Sequence, residues 1–141
     1  MKTINIDWFV TGYHVFKIRP CDDEKLKMYV EKNNPVDPWA VLVKDQQGNS
    51  VGRVPANLCR AFRKLKDSGL AREFVCTYRN KVFRVPDYER SFERKAGAMD
   101  SAGGGAVLKC NYSFQYEEKH FEKVAAIVKD NVPSKEMYRF S

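Results

Sequence analysis

The run Asn33-Asn34-Pro35-Val36-Asp37-Pro38-Trp39-Ala40-Val41-Leu42-Val43 is the stretch of this sequence that says most about the fold. It begins as a polar loop whose prolines restrict the backbone, and it ends as a short apolar strand. A glycine turn at residues 46–49 and a second strand at residues 50–55 come next. We therefore predict a β-hairpin with an Asn- and Asp-rich loop beside it, an arrangement suited to holding a polar ligand.

Hydrophobic periodicity on both sides of this hairpin predicts further strands and two helices. Some short segments alternate apolar and polar residues, or are rich in aromatic and β-branched residues, as strands are. Two other segments, 56–68 and 117–129, repeat apolar residues at helical spacing. Because local turns join most strands, including one at Arg79-Asn80, we predict a small antiparallel β-barrel with helical plugs. The further strands are predicted at residues 8–16, 26–31, 74–78, 81–85 and 106–114.

The length and composition of the chain indicate one ordered domain. The chain has 141 residues, of which 43% are hydrophobic, so we expect residues 1–141 to form a single domain with its own core. Residues 86–105 are charged and then rich in Gly, Ala and Ser, which predicts a flexible surface loop. The tail at residues 132–141 is expected to fray.

The charge balance indicates an anionic partner. The formal net charge is +7 and the sequence pI is about 9.3, which favours nucleic acid first and an acidic membrane surface second. No segment approaches the ~20 apolar residues of a membrane span, and the N-terminus lacks the apolar run of a signal peptide. We therefore expect a soluble, intracellular protein and no membrane partner.

The motifs indicate neither a metal site nor an active site. The cysteines lack the paired short spacing of structural zinc sites, so we expect free buried thiols, no metal and no other cofactor. His14 and His120 lie in no catalytic pattern, and the sequence has no phosphate-binding glycine loop or nucleophile motif. A binding module is therefore favoured over an enzyme. The four cysteines are Cys21, Cys59, Cys76 and Cys110.

The polar loop and one aromatic strand are candidates for ligand contacts, although each also has a purely structural interpretation. The side chains of residues 33–37 can bond their own backbone as a turn. Alternatively, the Asn amides can donate to phosphate oxygens, and the Asp37 carboxylate can accept from a sugar hydroxyl. In the strand at 13–16, alternation places His14 and Phe16 on one face, which is either core or a surface that stacks bases.

Basic residues after the loop are candidates for phosphate contacts. Arg53 leaves the second hairpin strand near the polar loop, and it is the best single candidate. Arg60 and Lys64 lie off the apolar stripe of the first helix. That helix face is either a solvated surface or a surface that binds phosphate.

Residues 12–16, 33–41 and 48–55 form three segments that together resemble the HIRAN domain family. The first of them is similar to a divergent animal branch of the family. The resemblance implies an oligonucleotide-binding-like (OB-like), six-stranded antiparallel β-barrel with helices. It also implies that the domain binds single-stranded DNA, captures the free 3′ end in a pocket, and usually accompanies a DNA-repair helicase or nuclease. The segments are Gly12-Tyr13-His14-Val15-Phe16, Asn33-Asn34-Pro35-x-Asp37-x-x-Ala40-Val41 and Gly48-Asn49-x-Val51-Gly52-x-Val54-Pro55, and the helix through Leu65 fits as well.

Position by position, the resemblance implies roles for individual residues. Asn33, Asn34 and Asp37 match the polar loop of the pocket. By this match Asp37 would accept a hydrogen bond from the terminal 3′ hydroxyl. Phe16 takes the place of an aromatic residue that stacks on a base.

Other positions depart from the family pattern. Val15 and Val36 replace tyrosines, and Ala56 replaces a lysine that binds phosphate. These changes reduce the stacking part of the pocket and leave the part that reads the hydroxyl. His14 and Arg53 stand where a family member has an arginine and a histidine.

We therefore predict a nuclear module that binds single-stranded DNA in repair or replication-fork processing, with the free 3′ end as a candidate target. A helicase or nuclease is a candidate partner. The alternative is a protein-interaction module on the same barrel that has lost DNA binding. The predicted interface consists of His14, Phe16, Asn33, Asn34, Asp37, Arg53, Arg60 and Lys64.

Overall fold

A computed structural model describes residues 1–11, 17, 19–31, 35–36, 38–84 and 106–141, with the backbone alone for residues 80–84 and 106. Within these residues the chain forms seven strands and two α-helices. The strands are β1 (Lys2–Val10), β2 (Lys25–Val30), β3 (Val41–Lys44), β4 (Ser50–Arg53), β5 (Ala71–Arg84), β6 (Ala106–Tyr116) and β7 (Tyr138–Phe140), and the helices are α1 (Ala56–Asp67) and α2 (Phe121–Asn131).

The strands form one antiparallel sheet in the order β4-β3-β2-β5-β6-β1-β7. The prediction of a mainly β fold with two helices is confirmed, and the pairing of β3 with β4 confirms the hairpin. The prediction of a closed, six-stranded barrel is wrong, because the sheet is open and has seven strands. β1 pairs with β6 along one edge and with β7 at Ile4–Ile6 along the other, so no full ladder to β4 can form there.

One backbone bridge nevertheless joins the β4 end of the sheet to the residue after β1. Thr11 and Arg53 exchange two N–H···O bonds of 2.9 Å, and the Thr11 hydroxyl donates to the Arg53 carbonyl at 3.1 Å. Gly52 lies beside this bridge. A Cβ at Gly52 would overlap the Thr11 carbonyl oxygen and the Val10 side chain, so the close approach requires glycine.

β5 is one long strand where two short ones were predicted. The turn predicted at Arg79-Asn80 is wrong, because residues on both sides of it pair with the same strand, β6. Tyr78 pairs with Cys110 and Val82 with Leu108, so three residues of β5 stand opposite one residue of β6. The polar residues form an irregularity within the strand and do not reverse the chain.

Helix α1 matches its prediction closely. Its apolar face is buried, and Pro55 precedes its first residue. Gly69, at φ +73°, ends it with a Schellman pair of bonds, from Gly69 N–H to Lys66 and from Leu70 N–H to Leu65. The buried residues of α1 are Ala56, Leu58, Cys59, Ala61, Phe62 and Leu65.

The C-terminal part of the chain is more ordered than the sequence suggested. α2 buries Val124 and Val128, but Phe121, which has the same helical spacing, is 42% exposed. The tail that was expected to fray contains β7, and Thr3 and Ser141 exchange two backbone hydrogen bonds of 3.0 and 2.8 Å. Apolar side chains explain this order, since Tyr138 and Phe140 pack against the core.

The four cysteines are free thiols with different exposure. Cys59, Cys76 and Cys110 are buried, and Cys21 is exposed. Burial raises the pKa of the Cys76 thiol well above its ordinary value. In the described part of the chain, no helix is long and apolar enough to cross a membrane.

Gly52→Ala should lower the free energy of unfolding by about 2 kcal/mol or more, because the added methyl group must displace backbone at the bridge. Gly48→Ala is the matched control. Gly48 lies in open space at φ +87°, so alanine there costs only about 1 kcal/mol of backbone strain. Urea unfolding of the two variants measures the difference. Equal losses of stability would show that the close approach at Gly52 does not constrain the fold.

Asp7 should make stability depend on acid pH. Burial raises the pKa of Asp7, but the Asn111 amide (3.0 Å) and Arg139 (2.9 Å) outweigh this and lower the pKa below its ordinary 3.8. A lowered folded-state pKa gives stability that is present above pH ~4 and is lost as the pH falls through that pKa. Wild type should therefore be more stable than Asp7→Asn at pH 7, by about 1 kcal/mol or less, since the pair is partly exposed. The gap should close near pH 2 in urea unfolding, and a gap that persists there would contradict this assignment.

Candidate nucleic-acid interface

The structure describes three of the eight residues predicted for the interface. Arg53 ends β4, and Arg60 and Lys64 lie on α1. The remaining five residues lie outside the described part of the chain, so their predicted roles stay predictions. Those five are His14, Phe16, Asn33, Asn34 and Asp37.

Arg53 connects the described ends of the two segments that contain four of these five residues, all except Asp37. Its backbone pairs with Thr11, the residue that precedes segment 12–16. Its side-chain Nε donates to Glu31 Oε1 at 3.2 Å, and Glu31 precedes segment 32–34. The Glu31 N–H in turn donates to the Ala40 carbonyl at 3.0 Å, which ties the two sides of the polar loop together.

The Arg53–Glu31 pair sets the electrostatics of this corner. Exposed fractions of 46% for the Arg53 side chain and 19% for that of Glu31 leave the guanidinium open to solvent and the carboxylate partly covered. The bond to Glu31 holds the Nε side of the guanidinium in place. The carboxylate also offsets the positive charge of Arg53, and it would repel an anion that approached the guanidinium.

Sequence reasoning missed Glu31. Only the pairing of the strands reveals that Glu31 lies near Arg53. Tyr29, Leu42 and Arg53 stand opposite one another on β2, β3 and β4. Glu31 is two residues beyond Tyr29 and therefore lies on the same face of the sheet as Arg53. Without the register, the opposite charges could not be matched.

Arg60 and Lys64 form the exposed basic side of α1. They are four residues apart, so they are neighbours on the helix surface. The helix begins three residues after Arg53, so the cations follow one another on consecutive elements. Arg60 and Lys64 therefore supply positive charge on an exposed helix surface, which attracts anions without binding one at a fixed position.

Arg63, which was not among the predicted interface residues, fixes the far end of the polar loop to α1. Its Nη1 donates to the Pro38 carbonyl at 3.1 Å, and its guanidinium carbon lies 5.6 Å from the centre of the Trp39 ring. Its Nε lies 3.7 Å from Asp67 Oδ2. The Arg63–Asp67 spacing was visible in the sequence, but the contacts with Pro38 and Trp39 depend on tertiary packing.

An open groove lies beside this contact. It has a volume of about 500 Å³ and mainly apolar walls. Trp39, at its rim, is 40% exposed, and Val36 in the same loop is 73% exposed. The groove is therefore an apolar surface with basic residues at its edge. It is lined by Trp39, Arg63, Lys64, Asp67, Ser68, Leu70 and Ile127.

Comparisons with known proteins show which family and which fold this chain resembles. The model of the HIRAN domain family matches residues 5–92, which include both segments tied by Arg53. The crystal structure of the HIRAN domain of human HLTF has 17% identity and a TM-score of 0.66 over 93% of each chain. An NMR structure of the HLTF HIRAN domain in its DNA-bound conformation has 20% identity and a TM-score of 0.60 over 90% of this chain and 87% of that one.

A bacterial protein also shares the fold. A crystal structure from Lactobacillus plantarum has 13% identity and a TM-score of 0.50 over 82% of this chain and 98% of that one. The comparison with curated protein sequences found no match. At these identities the structures establish the fold.

Arg63→Ala should loosen the Pro38–Trp39 segment, because it removes a hydrogen bond and a cation–π contact worth about 1–2 kcal/mol together. Quenching of tryptophan fluorescence by iodide measures this, since Trp8 is buried and Trp39 supplies the accessible signal. We expect stronger quenching in Arg63→Ala. The neighbouring substitution Lys64→Ala is the control for lost positive charge. Equal quenching in both variants would argue against the role given to Arg63.

Proposed function

The chain belongs to the HIRAN domain family, and we propose that it is a nucleic-acid-binding module whose ligand is single-stranded DNA. The family match covers both segments that would carry the interface. A HIRAN domain of similar fold has a DNA-bound conformation. The net charge of +7 favours an anionic ligand of this kind.

The observation that carries the proposal is the double contact of Arg53. Its backbone is bonded to Thr11, and its side chain is bonded to Glu31. One exposed guanidinium thus stands between the starts of segments 12–16 and 32–34. A phosphate held at Arg53 would have both segments within the reach of its nucleotide.

The finer roles come from the family resemblance. We propose that Asp37 accepts a hydrogen bond from the free 3′ hydroxyl and that Asn33 and Asn34 donate to the last phosphate. Phe16 would stack on a base, with His14 beside it. Asp37 then discriminates between strand ends, because a 3′ phosphate would bring a second negative charge against its carboxylate.

Arg60 and Lys64 would act at longer range. Both are exposed side chains on α1, so they would raise the association rate and the salt dependence of binding. We propose no catalytic step for this chain. The setting would be nuclear DNA repair or fork processing beside a helicase or nuclease, which supplies the chemistry.

Glu31→Gln should bind single-stranded DNA more tightly than wild type, by about threefold to tenfold, because it removes the anion next to Arg53. Arg53→Gln should bind about tenfold more weakly, since a hydrogen bond to phosphate is lost and Glu31 remains. Asp37→Ala should weaken binding of strands with a 3′ hydroxyl and should strengthen binding of strands with a 3′ phosphate, because the repulsion between the phosphate and the carboxylate is removed. Fluorescence anisotropy at fixed salt measures all three, with Lys129→Gln on α2 as the charge control.

Each result separates one part of the proposal from the rest. Equal affinity of wild type for 3′-hydroxyl and 3′-phosphate strands would remove end recognition and leave strand binding intact. Weaker binding by Glu31→Gln would show that the carboxylate supports the site structurally. Absence of any salt-sensitive binding by wild type would overturn the DNA proposal itself.

A second candidate function, protein interaction, is favoured by the apolar groove between the helices. Exposed Val36 and Trp39 with the groove wall at Leu70 form a surface that single-stranded DNA does not need. In this case Trp39→Ala would abolish capture of a partner protein, and Arg53→Gln would not. The same two variants tested on DNA distinguish the functions, because the DNA proposal predicts the larger effect for Arg53→Gln.

A further inference from the structure

The outward face of β2, β3 and β4 is a second surface of unusual composition. Side chains alternate along these strands, so Met28, Val30 and Val43 face the core while their neighbours face solvent. Strand register places Tyr29, Leu42 and Arg53 in one outward row and Lys27, Lys44 and Ser50 in the next. We call the outward residues the Tyr29 face. It consists of Lys25, Lys27, Tyr29, Glu31, Leu42, Lys44, Ser50 and Arg53.

A bulge in β4 keeps both rows on the same side. Val43 pairs with Gly52 and Lys44 pairs with Ser50, so Val51 is an extra residue in β4. Val51 is fully buried. Ser50 and Arg53 are three residues apart, so in a regular strand their side chains would lie on opposite faces of the sheet. Because Val51 is an extra residue, both side chains lie on the outward face.

The centre of the Tyr29 face is an aromatic ring among cations. Tyr29 is 46% exposed, and the Lys44 Nζ lies 5.1 Å from the centre of its ring. Lys27 stands directly opposite Lys44 on the neighbouring strand, although two like charges in register are unfavourable for the sheet. A pair of lysines held against their mutual repulsion is suited to an anion that bridges them.

The Tyr29 face has a positive net charge, and its two ends differ in their surroundings. Lys25, Lys27, Lys44 and Arg53 are opposed by Glu31 alone among the eight residues of the face, which leaves a net charge of about +3 at neutral pH. At the Arg53 end, the face meets the proposed DNA site through the contacts with Thr11 and Glu31. At the other end, it is closed by the acidic run Asp22-Asp23-Glu24, which repels phosphate.

We propose that the Tyr29 face is a second subsite for single-stranded nucleic acid, in which a base stacks on Tyr29 and the flanking phosphates contact Lys27 and Lys44. The inference rests on the proposed function for the path of the bound nucleic acid. The nucleic acid would reach the Tyr29 face at Arg53 and leave it before the acidic run. An unpaired strand fits this surface because a base within a duplex cannot offer its face to a side chain. The subsite raises the affinity for longer nucleic-acid strands, and it does not distinguish one base from another.

Tyr29→Ala should weaken binding of a strand of about 12 nucleotides roughly tenfold and leave binding of a dinucleotide unchanged, because Tyr29 lies two strand spacings, about 10 Å, from Arg53 and a dinucleotide held there ends before it. Tyr29→Phe should bind both strands as wild type does, since the ring is retained. Lys44→Gln should make the slope of log affinity against log salt shallower by about 0.7, the value for one phosphate contact on a single strand. Lys129→Gln, on α2, is the control for net charge. Equal urea midpoints of wild type and Tyr29→Ala would show that the fold is intact.

A closed circular single strand separates this inference from the proposed function, because a circle has no end for the pocket. Binding of the circle that falls with Tyr29→Ala would support the Tyr29 face even if end recognition failed. Loss of affinity for short and long strands alike in Tyr29→Ala would overturn it. So would displacement of the long strand by polyglutamate at equal charge concentration, since that result would assign the face to an acidic protein.

Discussion

The backbone bridge between Thr11 and Arg53 is the constraint on which the rest of this structure depends. In the described residues, β4-β3-β2 joins β5-β6-β1-β7 through a short ladder. Lys25 pairs with Thr77 and Leu26 with Cys76, and the Tyr78 N–H donates to the Glu24 carbonyl at 2.9 Å. The bridge ties the two parts together again at the opposite end. Because Gly52 has no side chain, β4 can lie close enough to β1 for these bonds to form.

The same bridge also positions Arg53, the residue on which the proposed interface depends. It orients the backbone of Arg53, and the residue's side chain then meets Glu31 at the edge of the polar loop. Arg63 holds the other end of that loop through Pro38 and Trp39. Glu31, which precedes the loop, and Pro38 and Trp39, which follow it, are thus each in contact with an arginine from a strand or a helix.

The sequence allowed the local parts of the fold to be predicted and not the parts that depend on distant contacts. The hairpin and α1 follow from alternation, from Pro55 and from Gly69, all within a few residues of the element they define. The single long β5 was missed, because Arg79-Asn80 has the composition of a turn and the pairing with β6 is set more than twenty residues away. Arg53 could be placed from the hairpin, but Glu31 required the register across three strands.

The unequal burial of the cysteines makes the protein a simple target for covalent labelling. Cys59, Cys76 and Cys110 are enclosed in the core, where burial also disfavours the reactive thiolate of Cys76. Cys21 is exposed, and it begins the turn that leads through the acidic run into β2. A maleimide dye would therefore attach at one position at the edge of the Tyr29 face, without any engineered residue. Its emission would change when a strand occupied that face.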